Sequence, residues 1–283
     1  MGQGVDVDFV SDVLTLEVTD HIATLWLDRP EARNAMGSAL WRDLPRAAQA
    51  VEATPSVRVL IIAARGPHFT VGLDLKELGA SLLSGGASEA TSRASANARS
   101  YQAVRSMQDS ITSIAKLSVP VIAAVHGYCI GGGVDLVSAC DIRLCASDAT
   151  FSVREAKVAI VADLGTLQRL PRIVSAGHVA ELAYTGKDID AARALSIGLV
   201  NSIHGESADD VLQGALTLAR EIAANSPLAV QGTKAVLAAN DAHSVSEGLE
   251  FVARWNTMYL QSNDLKEAMT AFMEKRSPNF TGD

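Results

Sequence analysis

The chain has 283 residues, of which 48% are hydrophobic and 20% are charged, and its formal net charge is −8. This composition supplies enough apolar surface for a full hydrophobic core and excludes a disordered chain. The acidic balance and the lack of any basic stripe disfavour a nucleic-acid-binding protein. The same balance leaves room for a phosphorylated ligand held by a few local cations.

Three features predict the compartment. The cysteines, Cys129, Cys140 and Cys145, form no C-x-x-C pair, which is typical of buried thiols in a reducing compartment. The first residues lack the basic and apolar segments of a signal peptide. The sequence also has no apolar run near the roughly 18 residues of a membrane span. We therefore expect a soluble, cytoplasmic protein that binds neither nucleic acid nor membrane.

The first part of the chain predicts a β-hairpin and a helix. Residues 13–18 and 22–27 alternate between apolar and polar side chains around a short turn, which is typical of paired antiparallel strands. Ser38 is predicted to cap a helix that runs to about Ala53. Pro45 lies inside this segment, so we expect it to kink the helix or to postpone its start.

The middle of the chain predicts two buried strands and one helix. The apolar runs at 57–63 and 121–125 do not alternate, so each is expected to be covered on both faces. A short helix is expected at 75–83. The Ser-, Gly- and Ala-rich stretch 84–98 is predicted to be a mobile surface loop, and residues 99–117 have the spacing of a helix.

Beyond Thr166 helices dominate the pattern. A strand is expected at 199–203. Helices are expected at 167–174, 178–184, 191–196, 208–224, 228–239 and 245–260. An α/β half followed by a helical half is typical of a core with a helical appendage.

Three consecutive glycines, Gly131, Gly132 and Gly133, follow the strand at 121–125 and lead into a helical pattern. Glycines at this position let main-chain N–H groups approach a ligand, although a flexible turn or tight helix packing has the same pattern. No Lys-Ser/Thr pair follows, Leu136 stands where a dinucleotide motif needs its last Gly, and no G-x-S-x-G occurs. The six histidines have no metal-ligand spacing, so we predict no metal, and His126 is expected to be packed in the interior.

Three carboxylates follow the glycines. Asp135 falls in the first turn of the predicted helix, where the helix dipole alone would favour it. Glu155 follows a short β-type run and could be a plain surface charge. Asp163 lies in an apolar run, where an unpaired charge is costly, so it either caps a helix beginning near Leu164 or serves in a reaction. A cradle of N–H donors beside carboxylates is what proton abstraction next to a carbonyl requires.

Two motifs, F-T-V-G-L-D-L at 69–75 and H-G-Y-C-I-G-G-G-V-D-L at 126–136, resemble those of the crotonase (enoyl-CoA hydratase/isomerase) superfamily. The resemblance implies an α/β fold: a spiral of ββα units over 1–204 that holds the CoA-ester site, and a C-terminal helical trimerisation region over 205–283. It also implies an acyl-CoA thioester as substrate, no separate cofactor, and a homo-oligomer that is a trimer or a dimer of trimers.

The resemblance also assigns residues. It implies that the N–H groups of Leu73 and Gly132 form an oxyanion hole for the thioester oxygen. It further implies three catalytic acids, Asp135, Glu155 and Asp163. The substrate-binding residues it implies are Val71, Gly72, Leu73, Asp74, Leu75 and Gly132.

Within the superfamily the match looks closest to the Δ3,5-Δ2,4-dienoyl-CoA isomerases, because of A-D-L-G-T-L-Q-R-L-P at 162–171. Hydratases normally have Glu where this chain has Asp135 and Gly where it has Asp163. The resemblance therefore implies an isomerase of fatty acid β-oxidation that converts a 3,5-dienoyl-CoA to the 2,4-isomer by carboxylate-mediated proton transfer. The alternatives are an enoyl-CoA hydratase that adds water to a 2-enoyl-CoA and a non-catalytic acyl-CoA-binding subunit.

Overall fold

The computed structural model describes residues 4–5, 7–77, 79, 92–240 and 244–283. The strands are β1 (Gly4–Val5), β2 (Leu14–Thr19), β3 (Ile22–Leu27), β4 (Val59–Ala64), β5 (Val121–Val125), β6 (Tyr128–Ile130), β7 (Ile142–Cys145), β8 (Thr150–Ser152), β9 (Ile189–Asp190) and β10 (Ser202–Ile203). The helices are α1 (Ser38–Glu52), α2 (Arg93–Ala115), α3 (Gly132–Ser138), α4 (Thr166–Arg169), α5 (Ala176–Thr185), α6 (Ala191–Ser196), α7 (Ala208–Ala223), α8 (Pro227–Asn240), α9 (Val245–Tyr259) and α10 (Asn263–Glu274).

The strands form two sheets. The larger sheet has the order β1-β2-β3-β4-β5-β7-β10, and the smaller has the order β6-β8-β9. β2 and β3 are an antiparallel hairpin, as the alternating pattern predicts, whereas β3, β4, β5, β7 and β10 are parallel neighbours. Because β5 belongs to the larger sheet and β6 to the smaller, the chain passes between the sheets at His126 and Gly127.

The central strand β4 explains why its sequence lacks alternation. Leu60, Ile62 and Ala64 pack into the hydrophobic core on the side of α1 and α2. Val59, Ile61 and Ala63 pack on the opposite face, where α7 covers the sheet. Both faces are buried, so both need apolar side chains. The prediction for this strand is confirmed.

Helix α1 corrects one expectation. It begins at Ser38, its N-cap is Gly37, and it continues over Pro45 to Glu52. Ser38 is therefore the first helical residue and not the cap, and Pro45 does not postpone the start. Leu40, Trp41, Leu44, Ala47, Ala48 and Val51 are buried on one face of this helix. That packing outweighs the one hydrogen bond that a proline removes.

The predicted loop at 84–98 is partly wrong. Residues 84–91, and most of the helix expected at 75–83, lie outside the described residues. Helix α2, however, begins at Arg93, because Ser92 caps it by accepting a hydrogen bond from Ser95 N. Alanine is the strongest helix former. An Ala-rich stretch that follows a Ser N-cap is therefore helical, although its composition is also typical of a linker.

The C-terminal helices match the predicted ones within a few residues, and α10 was missed. Ser262 caps α10 through Leu265 N, a signal that the sequence contains. The strand expected at 199–203 is confined to Ser202–Ile203. The mixed α/β class with helices at the C-terminal end is confirmed. The division at residue 204 stays a prediction, and the first helix beyond it, α7, packs on the larger sheet.

Candidate active site

A cavity of about 180 Å³ lies between the loop after β4, the start of α3 and the segment after β8. Asp135, Glu155 and Asp163 all line it, together with Leu73 and Gly132. The remaining lining residues are mostly apolar: Trp41, Val71, Gly72, Leu75, Val104, Met107, Ile130, Gly131, Arg154, Val158, Ile160 and Leu164. Residues spread over more than a hundred positions thus meet around one space.

Two main-chain segments approach closely at one end of the cavity. Gly72 has a φ of +84°, and a Cβ added there would lie 2.7 Å from Ile130 O and 3.6 Å from Gly132 N. Only glycine fits at this position, because the backbone conformation and the contact both exclude a side chain. Leu73 N and Gly132 N donate no hydrogen bond to any protein group within the described segments. Both N–H groups are therefore available to a ligand.

The sequence leaves open whether the glycines at the start of α3 serve ligand approach, a flexible turn or tight helix packing. The structure shows tight packing. A Cβ on Gly132 would lie 2.8 Å from Met36 Sδ, and one on Gly133 would lie 2.5 Å from Thr70 Cγ2. The N-terminus of α3 is thus packed tightly against Met36, which precedes α1, and against Thr70 in the loop after β4. This packing, and not flexibility, requires the glycines, and it sets the distance between the two segments that carry the free N–H groups.

Asn34 and Thr70 hold the loop that carries Leu73, and neither is predicted from the sequence. Asn34 is buried, and its Nδ2 donates to Arg65 O and His68 O, each at 2.9 Å. Thr70 Oγ1 donates to Asn34 O at 2.6 Å and accepts from Gly72 N at 3.1 Å. The signal available in the sequence is an Asn at a turn, because Asn tolerates the left-handed conformation that Asn34 adopts with a φ of +54°.

Asp135 is the most deeply buried of the three acids, with 1% of its surface exposed. Its Oδ1 accepts a hydrogen bond from Thr166 N at 2.6 Å, so Asp135 satisfies an N–H of the first turn of α4. Burial raises its pKa to about 6, and the hydrogen bonds with Thr166 oppose that rise. Asp135 thus connects α3 to α4.

Glu155 is half-buried and has an unsatisfied carboxylate oxygen. Its Oε2 is buried and has no hydrogen-bond partner among the described residues. Burial, with a smaller contribution from the nearby charges of Asp135 and Asp163, raises the pKa of Glu155 to about 7. A buried oxygen without a partner is rare in proteins, so this carboxyl group is a strong candidate for contact with a substrate.

Asp163 does not cap a helix. Helix α4 begins at Thr166 with Gly165 as its N-cap, and the N–H that a cap would satisfy is bound by Asp135. Asp163 is exposed at the residue level, yet partial burial of its carboxyl group raises its pKa. Of the two interpretations that the sequence allowed, the structure excludes capping and leaves Asp163 facing the cavity without a structural role for its carboxyl group.

Asp74, predicted to bind substrate, and His126, predicted to be packed in the interior, do not line the cavity. Asp74 is buried but does not line the cavity, and its carboxylate accepts hydrogen bonds from Arg29 Nη1 at 3.0 Å and from Lys76 N and Glu77 N. That arrangement orders the turn after Leu73. His126 is buried, with Nε2 2.9 Å from Gly66 O, as expected of a packed histidine. The cysteines are free and buried, also as predicted.

Replacing Glu155 by Gln is expected to raise the melting temperature at pH 8 more than at pH 5. The pKa of Glu155 is about 7 in the folded protein against an ordinary value of 4.5. The unfolded chain therefore releases this proton at a lower pH, and stability is lost as the pH rises between these values. Gln carries no charge and escapes this loss. Thermal unfolding of both proteins at both pH values tests this, and an equal difference at the two would contradict it.

Comparison with known proteins agrees with this geometry. The enoyl-CoA hydratase/isomerase family matches residues 17–283. The peroxisomal Delta(3,5)-Delta(2,4)-dienoyl-CoA isomerase of Arabidopsis thaliana is 42% identical over 269 residues, which cover 95% of this chain and 96% of that protein. The mitochondrial Delta(3,5)-Delta(2,4)-dienoyl-CoA isomerase of Dictyostelium discoideum is 44% identical over 269 residues, covering 94% and 90%.

A solved structure confirms the predicted fold. The enoyl-CoA hydratase of Bacillus anthracis superimposes with a TM-score of 0.86 at 29% identity, covering 96% of this chain and 100% of that one. In the described part of the chain no helix is both long and apolar enough to cross a membrane.

The predicted cytoplasmic location is wrong. The relatives from Arabidopsis thaliana and Dictyostelium discoideum are peroxisomal and mitochondrial proteins by name, which conflicts with it. The physical reason is that short address segments, read by receptors, decide the compartment, and a folded core with the same composition functions in any of them.

The loop motif, the glycine motif and the sheet topology of a known family thus occur together here, and its match extends over nearly the whole sequence. The chain belongs to the enoyl-CoA hydratase/isomerase (crotonase) family.

Proposed function

We propose that this protein is an isomerase that converts a 3,5-dienoyl-CoA to the 2,4-dienoyl-CoA. One observation carries the proposal: Asp163 lines the same cavity as Asp135, Glu155 and the two free N–H groups, and capping does not account for it. The relatives that are named dienoyl-CoA isomerases, at 42% and 44% identity, favour isomerisation over hydration. The reaction belongs to fatty acid metabolism, and we propose a place in β-oxidation.

The chemistry requires a proton to leave C2 and another to arrive at C6. Between these steps, negative charge spreads over a dienolate that ends at the thioester oxygen. We assign the N–H groups of Leu73 and Gly132 to that oxygen. Donors preplaced at a developing oxyanion are typically worth about 2.7–4 kcal/mol each, so these two groups are expected to make the largest single contribution. The apolar residues Val71 and Leu75 border the same opening and would contact the thioester arm.

The acids divide the proton transfers between them. Glu155 is assigned to C2, because its pKa of about 7 leaves a large ionised fraction at neutral pH and makes it an effective base. Asp163 is assigned to C6 as the acid, because it lines the same cavity and its carboxyl group forms no hydrogen bond to another described residue. Its exposure also lets it regain a proton from water after each turnover. Asp135 contacts neither carbon in this scheme and raises the pKa of Glu155.

An assay with two substrates tests the proposal. A 3,5-dienoyl-CoA is expected to give the absorbance of a conjugated 2,4-diene, and a 2-enoyl-CoA is expected to give little 3-hydroxyacyl product. Rapid hydration of the 2-enoyl-CoA without isomerisation would favour the alternative, an enoyl-CoA hydratase that uses Asp135 and Glu155, which also line this cavity. Binding of both thioesters without turnover would indicate a non-catalytic acyl-CoA-binding subunit.

We further propose that the protein needs no separate cofactor, because carboxylates and main-chain donors supply every proton and charge contact of this scheme. We also propose a homo-oligomer, a trimer or a dimer of trimers, built on the C-terminal helices. Its support is the apolar surface of α9 and α10, where Met258, Phe272 and Met273 are 73%, 80% and 80% exposed. Such a surface is typical of an interface.

A further inference from the structure

The backbone of the segment that carries Asp163 is held by side chains from neighbouring helices. Gln108 Nε2, on α2, donates to Asp163 O at 2.6 Å. Arg169 Nη1, on α4, donates to Leu164 O at 3.3 Å, and its Nη2 donates to Thr112 Oγ1 on α2 at 2.9 Å. Two consecutive carbonyl groups are thus bound, and α2 takes part in holding both.

The carboxyl group of Asp163 has no hydrogen bond to another residue in the described ranges, so a shift of its backbone moves the carboxyl group with no other contact to hold it in place. Gln108 makes the shorter of the two carbonyl contacts. Its orientation is set in turn, because Arg105 Nη1 donates to Gln108 Oε1 at 2.6 Å. With its oxygen accepting from Arg105, the amide must present its N–H to Asp163 O.

Helix α2 also contacts the space that the acyl chain would occupy. Val104 and Met107 line the cavity, and Val104 lies four residues before Gln108, on the same face of the helix. The wall of the cavity and the support of Asp163 are therefore parts of one helix face.

We propose that Gln108 is a positioning residue for the second proton transfer, the delivery from Asp163 to C6. This inference rests on the proposed function. A general acid must come within about 2.6–3.2 Å of its target, and a misplacement of about 1 Å costs up to roughly 100-fold in rate. Removal of the Gln108 donor is expected to impair the step at C6 and to spare the step at C2, which depends on Glu155.

The test compares Gln108→Met with Gln102→Met in D2O, with a 3,5-dienoyl-CoA as substrate. Met keeps the length and helix preference of Gln but has no donor. Gln102 is an exposed residue of the same helix, so it controls for the substitution itself. Two rates are measured: formation of the 2,4-diene by absorbance, and deuterium incorporation at C2 of the recovered substrate by mass spectrometry.

For Gln108→Met we expect diene formation to fall about 10- to 100-fold, with deuterium incorporation at C2 within about twofold of the unsubstituted protein. Gln108→Glu, which also lacks the donor at pH 7, is expected to show the same pattern, and Gln102→Met is expected to change neither rate. Unchanged diene formation in both Gln108 variants, or an equal loss of both rates, would overturn the inference. Absence of isomerisation by the unsubstituted protein would overturn the proposed function instead.

Discussion

Replacing Glu155 by Gln or Asp163 by Asn is expected to reduce isomerase turnover by about 10²–10⁴-fold, the usual loss for a general acid or base. Each change removes a proton carrier and keeps the size of the side chain. Affinity for the CoA ester is expected to survive, because the donors of Leu73 and Gly132 and the apolar walls are untouched. Initial rates of diene formation and calorimetric titration with a non-reactive acyl-CoA measure the two effects separately.

The exposed Asp209 offers a matched control, since it lies in the first turn of α7 and does not line the cavity. Asp209→Asn is expected to retain full turnover. Full dienoyl isomerase activity in Asp163→Asn would remove Asp163 from the mechanism. A loss of affinity equal to the loss of turnover would show that the carboxyl groups bind the substrate and do not move its protons.

Replacing Gly72 by Ala is expected to reduce turnover by about 10²–10³-fold, the loss typical of one missing oxyanion donor. The added Cβ would lie 2.7 Å from Ile130 O, and the φ of +84° is strained for any residue with a side chain. The backbone must therefore shift, and Leu73 N, the next donor in the chain, shifts with it. Steady-state kinetics should show the loss mainly in kcat, because the donor acts most strongly on the charged dienolate.

Gly177→Ala is the control for this substitution. Gly177 lies in α5, and a Cβ added there meets no atom within 4 Å. The variant is expected to be fully active and slightly more stable, by about 0.4–1 kcal/mol. If Gly72→Ala folds and retains normal kcat, the position of Leu73 N does not matter to the reaction, and the oxyanion-hole assignment fails.

The strands and helices were largely predictable because local patterns specify them. Apolar runs such as 57–63 identified buried strands, and caps and spacing identified most helices. The start of α2 was not predicted, because Ser- and Ala-rich sequence is compatible with both a linker and a capped helix. For α1 the local signal was misleading in the other direction. Pro45 disfavours a helix locally, but packing of the buried helix face keeps the segment helical.

Most of the site residues named from the sequence line the cavity around the acids, although Asp74 lies outside it, and the contacts of each residue were not predictable. The family resemblance predicted that Asp135, Glu155 and Asp163 belong to one site, and in the structure all three line one cavity. The sequence could not show that Asp135, and not Asp163, binds the first turn of α4, because that contact joins residues 31 positions apart. The roles of Asn34 and Gln108 were not predictable for the same reason, because their contacts also join residues that are distant in the sequence. Their importance lies in bonds to main-chain carbonyls, which leave no motif.

The most direct test of this account is a crystal structure of the Asp163→Asn variant with a 3,5-dienoyl-CoA bound. We expect the thioester oxygen within about 3.1 Å of both Leu73 N and Gly132 N, with C2 beside the Glu155 carboxylate and C6 beside residue 163. A thioester oxygen bound away from these two N–H groups, or a chain whose C6 lies far from residue 163, would contradict it.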